Sequence, residues 1–186
     1  MASANDIRKG NVILLDDQLY QCLDFHHNTP GNKRGIIQAK LKGLVSGTII
    51  NRKFSSTEKV EFAFLDKRDC EYLYREGNSH VFMDSENYEQ HHLSNEVVGD
   101  QMRFIIENAT VQVTFYEGNP VSIELPGSVV LVIKHTEPGL KGDSVSNVFK
   151  PATLETGYEF KVPNHINIGD RVKVSTQTGE FQGRVN

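Results

Sequence analysis

Between Phe25 and Thr57 the chain carries Lys33, Arg34, Lys40, Lys42, Arg52 and Lys53, with His26 and His27 beside them, and not one Asp or Glu. Cationic groups concentrated on one acid-free stretch are suited to holding phosphate. Lys33 and Arg34 fall inside the run Pro30, Gly31, Asn32, Lys33, Arg34, Gly35. Its proline fixes one backbone angle, and its two glycines permit the positive φ of a tight reversal. The run is therefore expected at the exposed tip of a hairpin. Lys40, Lys42, Arg52 and Lys53 are expected to contact RNA backbone, which positions a partner without reading its sequence.

Other reactive residue types do not assemble into a site. His26-His27 and His91-His92 invite a metal, but neighbours on a strand point to opposite faces, so neither pair easily chelates one ion. The same divergence makes Asp16-Asp17 a turn signal rather than a carboxylate pair. Cys22 and Cys70 lie far apart without a partner motif and read as buried small residues in a reducing compartment. No glycine-rich loop enters a helix, and neither a nucleophile elbow nor an H-E-x-x-H motif occurs. The expectation is a non-enzyme with no catalytic residue, no metal, no cofactor and no small-molecule substrate.

The elements that would carry the basic residues are short strands broken by turns. NVILLDD and QLYQCLDF flank Asp16-Asp17 as a hairpin, and IIQAKLKGL alternates apolar and polar residues before TIINRKF returns as its partner. The basic tip then crowns the longest hairpin of a small antiparallel barrel. The pattern restarts near Phe62, with strands around Glu76-Gly77-Asn78 in which Tyr72, Tyr74, Val81 and Met83 alternate. A helix is expected over Asn95–Glu107, then a hairpin across Glu117-Gly118-Asn119-Pro120. A third restart at SVVLVIKHTEPG continues with GYEFKVP, DRVKVST and EFQGRV. Three all-β units of roughly 60 residues each, at 1–64, 65–127 and 128–186, fit barrels of the oligonucleotide-binding (OB) kind.

Net charge is −4, which alone argues against a nucleic-acid binder. The three units remove the objection: nine Lys/Arg against six Asp/Glu in the first, four against twelve in the second, seven against six in the third. The first approaches RNA, and the acidic second faces protein or solvent. Tyr72, Tyr74, Phe82 and Tyr88 resemble base-stacking aromatics, but in the acidic unit they are expected to pack in the core. No apolar run reaches the ~20 residues of a membrane span, and MASANDIRKG lacks a signal-peptide core. A cytoplasmic protein with no membrane partner is expected.

Residues 150–169, KPATLETGYEFKVPNHINIG, space K-x-A, a glycine, V-P, Ile and a final glycine in a way that closely resembles the signature of bacterial elongation factor P. PGLKGD, GDQMRFI, GNPVSIELP, TGEFQGRV, KLKGLVSGT and RKFSST resemble that family in the same order along essentially the whole chain. The resemblance implies an all-β, L-shaped mimic of transfer RNA: a KOW/SH3-like barrel followed by two OB-fold barrels, acting as a monomer. It implies binding to ribosomal RNA and ribosomal protein between the peptidyl and exit sites. The basic tip would then lie against the acceptor end of peptidyl-tRNA and relieve stalling at consecutive prolines. Two places depart from the family's pattern. Asn32 stands where a modifiable Lys or Arg is usual, which leaves an unmodified tip or modification at Lys33. Ser146-Asn147-Val148-Phe149 replaces a glycine-rich loop, so a contact to the exit-site codon is not carried over. The alternatives are a specialised relative resembling the elongation factor P-like subgroup, and a general single-stranded-RNA-binding OB protein acting off the ribosome.

Overall fold

A computed structural model describes residues 2–29, 35–139 and 149–185, and its strands form three sheets. The first contains β1 (Ala2–Ser3), β2 (Val12–Leu15), β3 (Gln18–Asn28), β4 (Ile36–Gly43), β5 (Ile49–Ser55) and β6 (Lys59–Phe62), in the order β1-β6-β2-β3-β4-β5. Asp16 and Asp17 join β2 to β3 with φ of 48° and 60°. Two consecutive left-handed residues let a two-residue turn match the twist of its strands, and Asp tolerates that conformation better than most side chains. In β4 the side chains alternate strictly: Ile37, Ala39 and Leu41 are buried, while Gln38, Lys40 and Lys42 are exposed. The inward set meets Ile13, Cys22, Phe54 and Val60 in one apolar cluster. Emptying such a position, as in Leu41→Ala, costs about 3 kcal/mol.

The second sheet contains β7 (Asp66–Glu76), β8 (Ser79–Asp84), β9 (Gln90–Ser94), β10 (Thr110–Tyr116) and β11 (Asn119–Glu124), in the order β11-β10-β7-β8-β9. The third contains β12 (Ser128–Thr136), β13 (Phe149–Leu154), β14 (Glu159–Pro163), β15 (Arg171–Ser175) and β16 (Phe181–Val185), in the order β14-β13-β12-β15-β16. It closes over Leu131, Ile133, Leu154, Val162, Ile166, Val172 and Val174. The architecture is all-β, as expected. By compactness the chain forms two units, Met1–Arg68 with Val113–Ser122 and Asp69–Gln112 with Ile123–Asn186.

Four expectations are corrected. The helix expected over Asn95–Glu107 is a single turn, α1 (Asn95–Val98), followed by a 3-10 segment over Gly99–Phe104. Gly99 at φ 53° breaks the helical path, and the two preceding valines are weak helix formers. Tyr72 and Phe82 are core residues, but Tyr74 and Tyr88 are 44% and 70% exposed. Tyr72 pairs with Phe82 and Tyr74 with Val81, so a bulge between the two tyrosines turns Tyr74 to the other face. β13 was not anticipated because Pro151 sits in its middle, and proline argues against a strand inside a sheet. Gly35 does not take a positive φ. A side chain there would instead overlap the His27 ring and crowd Thr29.

Among the described residues no helix is long and apolar enough to cross a membrane. Nor is any group of three or more His, Cys, Asp or Glu arranged to hold a metal ion. Cys22 and Cys70 are both buried.

Candidate functional site

The basic residues are positioned by the register of β3, β4 and β5. Cross-strand partners share a face of a sheet. β3 pairs with β4 through Asp24 and Lys40, His26 and Gln38, and finally Asn28 and Ile36, the last pair before the tip. β4 pairs with β5 through Gln38 and Lys53, Lys40 and Asn51, and Lys42 and Ile49. The side chains of Lys40, Lys42 and Lys53 therefore stand together on the solvent face, with the Gln38 and Asn51 amides among them. Part of this face is a shallow depression of about 210 Å³ lined by Asp24, His26, Gln38, Lys40, Asn51 and Lys53 among others. Three flexible ammonium groups beside two amides suit a polyanion whose charge, rather than shape, is gripped.

Arg52 also lines the depression, but its side chain leaves β5 from the face opposite the three lysines. It pairs with Ala39, whose side chain is buried, so it leaves β5 on the core-facing side. There its guanidinium lies 5.9 Å from the centre of the Phe54 ring and 3.9 Å from the Asp16 carboxylate. Arg52 and Lys53 are adjacent on a strand, and that adjacency alone would have separated them. Asp24 is the residue that sequence reasoning missed. It falls just outside the acid-free stretch, yet equal steps back from the tip along both strands bring it opposite Lys40. One Asp24 carboxylate oxygen accepts the Phe25 amide at 2.9 Å, and the other is 3.7 Å from His26 Nε2. Among the described residues that line it, the depression carries one carboxylate, Asp24, so this part of the face is basic but not acid-free.

Pro30, Gly31, Asn32, Lys33 and Arg34 lie outside the described residues, as do Ser146, Asn147 and Val148. What is described is the base on which the tip stands. The Ser56 amide donates to the Gly35 carbonyl at 2.9 Å, and the Ser3 hydroxyl donates to the Ser56 carbonyl at 2.6 Å. The start of β4 is thereby tied to the β5–β6 turn and, through it, to Ser3 in β1.

Comparison with known proteins covers the whole chain. Residues 3–60 match the elongation factor P (EF-P) KOW-like domain, residues 65–123 the elongation factor P (EF-P) OB domain, and residues 129–184 the elongation factor P C-terminal domain. Proteins named elongation factor P are similar over 100% of both chains: 52% identical in Mycobacteroides abscessus, and 48% identical in Mycobacterium avium and in Beutenbergia cavernae. Among solved structures, a eukaryotic translation initiation factor 5A from Methanococcus jannaschii superposes with a TM-score of 0.56 at 17% identity. That match covers 66% of this chain and 90% of the other. A family protein of the same kind from Naegleria fowleri gives 0.51 at 13%, over 67% and 96%. At those identities the structural likeness speaks for the fold alone.

Proposed function

The chain belongs to the elongation factor P family, and we propose that it binds between the peptidyl and exit sites and speeds peptide-bond formation on ribosomes stalled at consecutive prolines. That it is a translation elongation factor acting on the ribosome, and not a classical enzyme, follows from the family itself. Three parts divide the work: a KOW-like barrel at 1–64, a central OB barrel at 65–127 and a C-terminal OB barrel at 128–186. Lys40, Lys42 and Lys53 take RNA backbone, while the tip of Pro30, Gly31, Asn32, Lys33, Arg34 and Gly35 reaches the acceptor end of peptidyl-tRNA. The protein acts as a monomer in the cytoplasm.

No catalytic acid or base is needed for this. Proline's ring locks φ, so a proline nucleophile meeting a proline donor is held badly at the reacting centre. Holding the peptidyl-tRNA end in a productive geometry removes an entropic cost, and the bond is then made by the ribosome. A cationic tip on a stiff hairpin suits that task, because it can grip the acceptor end without donating or abstracting a proton. The observation that carries the reading is the clustering of Lys40, Lys42 and Lys53 on one solvent face of the strands leading to the tip.

Lys33→Ala together with Arg34→Ala tests it. A hairpin tip of this composition is expected to bury little surface, so thermal stability should be unchanged. Cosedimentation with ribosomes should persist through the remaining lysines, while acceleration of proline–proline bond formation is lost. Full acceleration by the double variant would contradict the role of the tip. Tight binding to isolated single-stranded RNA, as tight as to ribosomes, would favour a general RNA-binding barrel instead.

A further inference from the structure

Three places to which RNA binding gives no role meet: Arg103 with Phe104, Thr156 with Tyr158, and Gly179. The helical segment that follows β9 is tied to the second sheet at its start. Asn95 Oδ1 lies 3.1 Å from His80 Nε2, the Asn95 amide donates to the Asn78 carbonyl at 3.3 Å, and Val98 is buried. At its other end Phe104 belongs to the apolar core of the third sheet, beside Leu131 and Leu154. Arg103 sits between these two anchorages. Its guanidinium carbon is 4.9 Å from the Phe104 ring centre and 4.9 Å from that of Tyr158, and the two rings meet edge-on at 5.3 Å. The Arg103 carbonyl accepts the Thr156 hydroxyl at 2.6 Å. Tyr158 in turn lies over Gly179, where any side chain would overlap its hydroxyl.

A solvent-exposed arginine would keep its guanidinium hydrated. Here Nε is buried and has no hydrogen-bond partner, so the group is retained for its charged, planar face against two aromatic rings. We propose that Arg103 is a positioning residue, which fixes the third sheet against β7–β9 of the second, so that this part of the factor (Asp69–Gln112 with Ile123–Asn186) meets the ribosome preformed. This rests on the reading given under Proposed function, for which preorganisation lowers the cost of binding.

The test separates the joint from the ribosomal activity. In the free full-length protein, residual dipolar couplings of β7–β9 and β12–β15 amides should fit one alignment tensor. In Arg103→Met, which keeps length and apolarity without charge or plane, both sheets should stay folded but the two tensors should differ in magnitude. Tyr158→Leu should reproduce that result, and Tyr158→Phe, which keeps the ring, should not. On ribosomes, the Arg103→Met concentration for half-maximal stimulation should rise about fivefold, with the saturated rate unchanged. One common tensor in Arg103→Met would overturn the proposal. Loss of either sheet's own fold would also overturn it, making the arginine a core residue rather than a joint. Separate tensors with unchanged half-saturation would refute the link to the ribosome and leave the function itself intact. If the wild-type protein stimulates nothing, the functional reading fails while the couplings still decide the joint.

Discussion

His80 shows what a single buried polar residue contributes here. It is 7% exposed, with Nδ1 3.3 Å from the Tyr72 hydroxyl and Nε2 3.1 Å from Asn95 Oδ1. With the Asn95 oxygen accepting, the proton belongs on Nε2, and Nδ1 accepts from Tyr72. Burial holds the imidazole below its ordinary 6.5, and the nearby Arg75 charge adds to this, against the opposing hydrogen bond to Asn95. The folded protein therefore resists taking up a proton that the unfolded chain accepts. Both forms are neutral well above pH 6.5, so His80 adds no pH dependence there. As pH falls through 6.5 the unfolded state gains the proton first, and stability declines until His80 itself protonates. His80→Gln should flatten that limb of the stability–pH curve, measured by urea unfolding at closely spaced pH values. Equal slopes for the variant and the parent would show that His80 titrates freely. At this scale burial of Cys22, Cys70 and Phe82 was legible in the sequence. The His80 partnership was not, because Tyr72, His80 and Asn95 come together only through strand pairing.

Register decides which cations work together at the level of the elements. Lys53 shares the solvent face with Lys40 and Lys42, whereas Arg52 lies over Phe54 on the opposite side. Lys53→Ala should weaken ribosome binding and lower the slope of log affinity against log salt by about one. Arg52→Ala should leave that slope unchanged, since its exposed ion pair with Asp16 contributes little. Equal slope changes in the two variants would mean that the faces are not distinct. The hairpins were legible because turn chemistry is local: Asp16-Asp17 and Glu117-Gly118 both take the left-handed angles that such turns require. The bulge before Tyr74 and the strand through Pro151 were not legible. Each depends on a neighbouring strand that absorbs one residue's irregularity, information that no short window of sequence contains. The stalled helix was legible in principle, since Gly99 directly follows Val97 and Val98.

Charge is distributed along the whole molecule so that function and net composition point in opposite directions. A chain of net −4 carries +3 on residues 1–64 and −8 on residues 65–127. An acidic middle repels phosphate, which is why the proposed function assigns the backbone contacts to the strands beneath the tip. Family membership was legible from seven collinear motifs. The placement of Asp24 beside Lys40 was not, and neither was the meeting of Arg103, Tyr158 and Gly179, because these are long-range consequences of folding. Stall relief by the tip, in the unmodified form that is one of the two readings Asn32 leaves open, is the central proposal. It is tested most directly by the rate of tri-proline synthesis on purified ribosomes with no factor, with this protein made without modifying enzymes, and with residues 32–34 replaced by Gly-Ser-Gly. Acceleration by the undecorated protein that disappears in the replaced variant is the predicted result. Equal rates in all three reactions, or acceleration that survives the replacement, would contradict it.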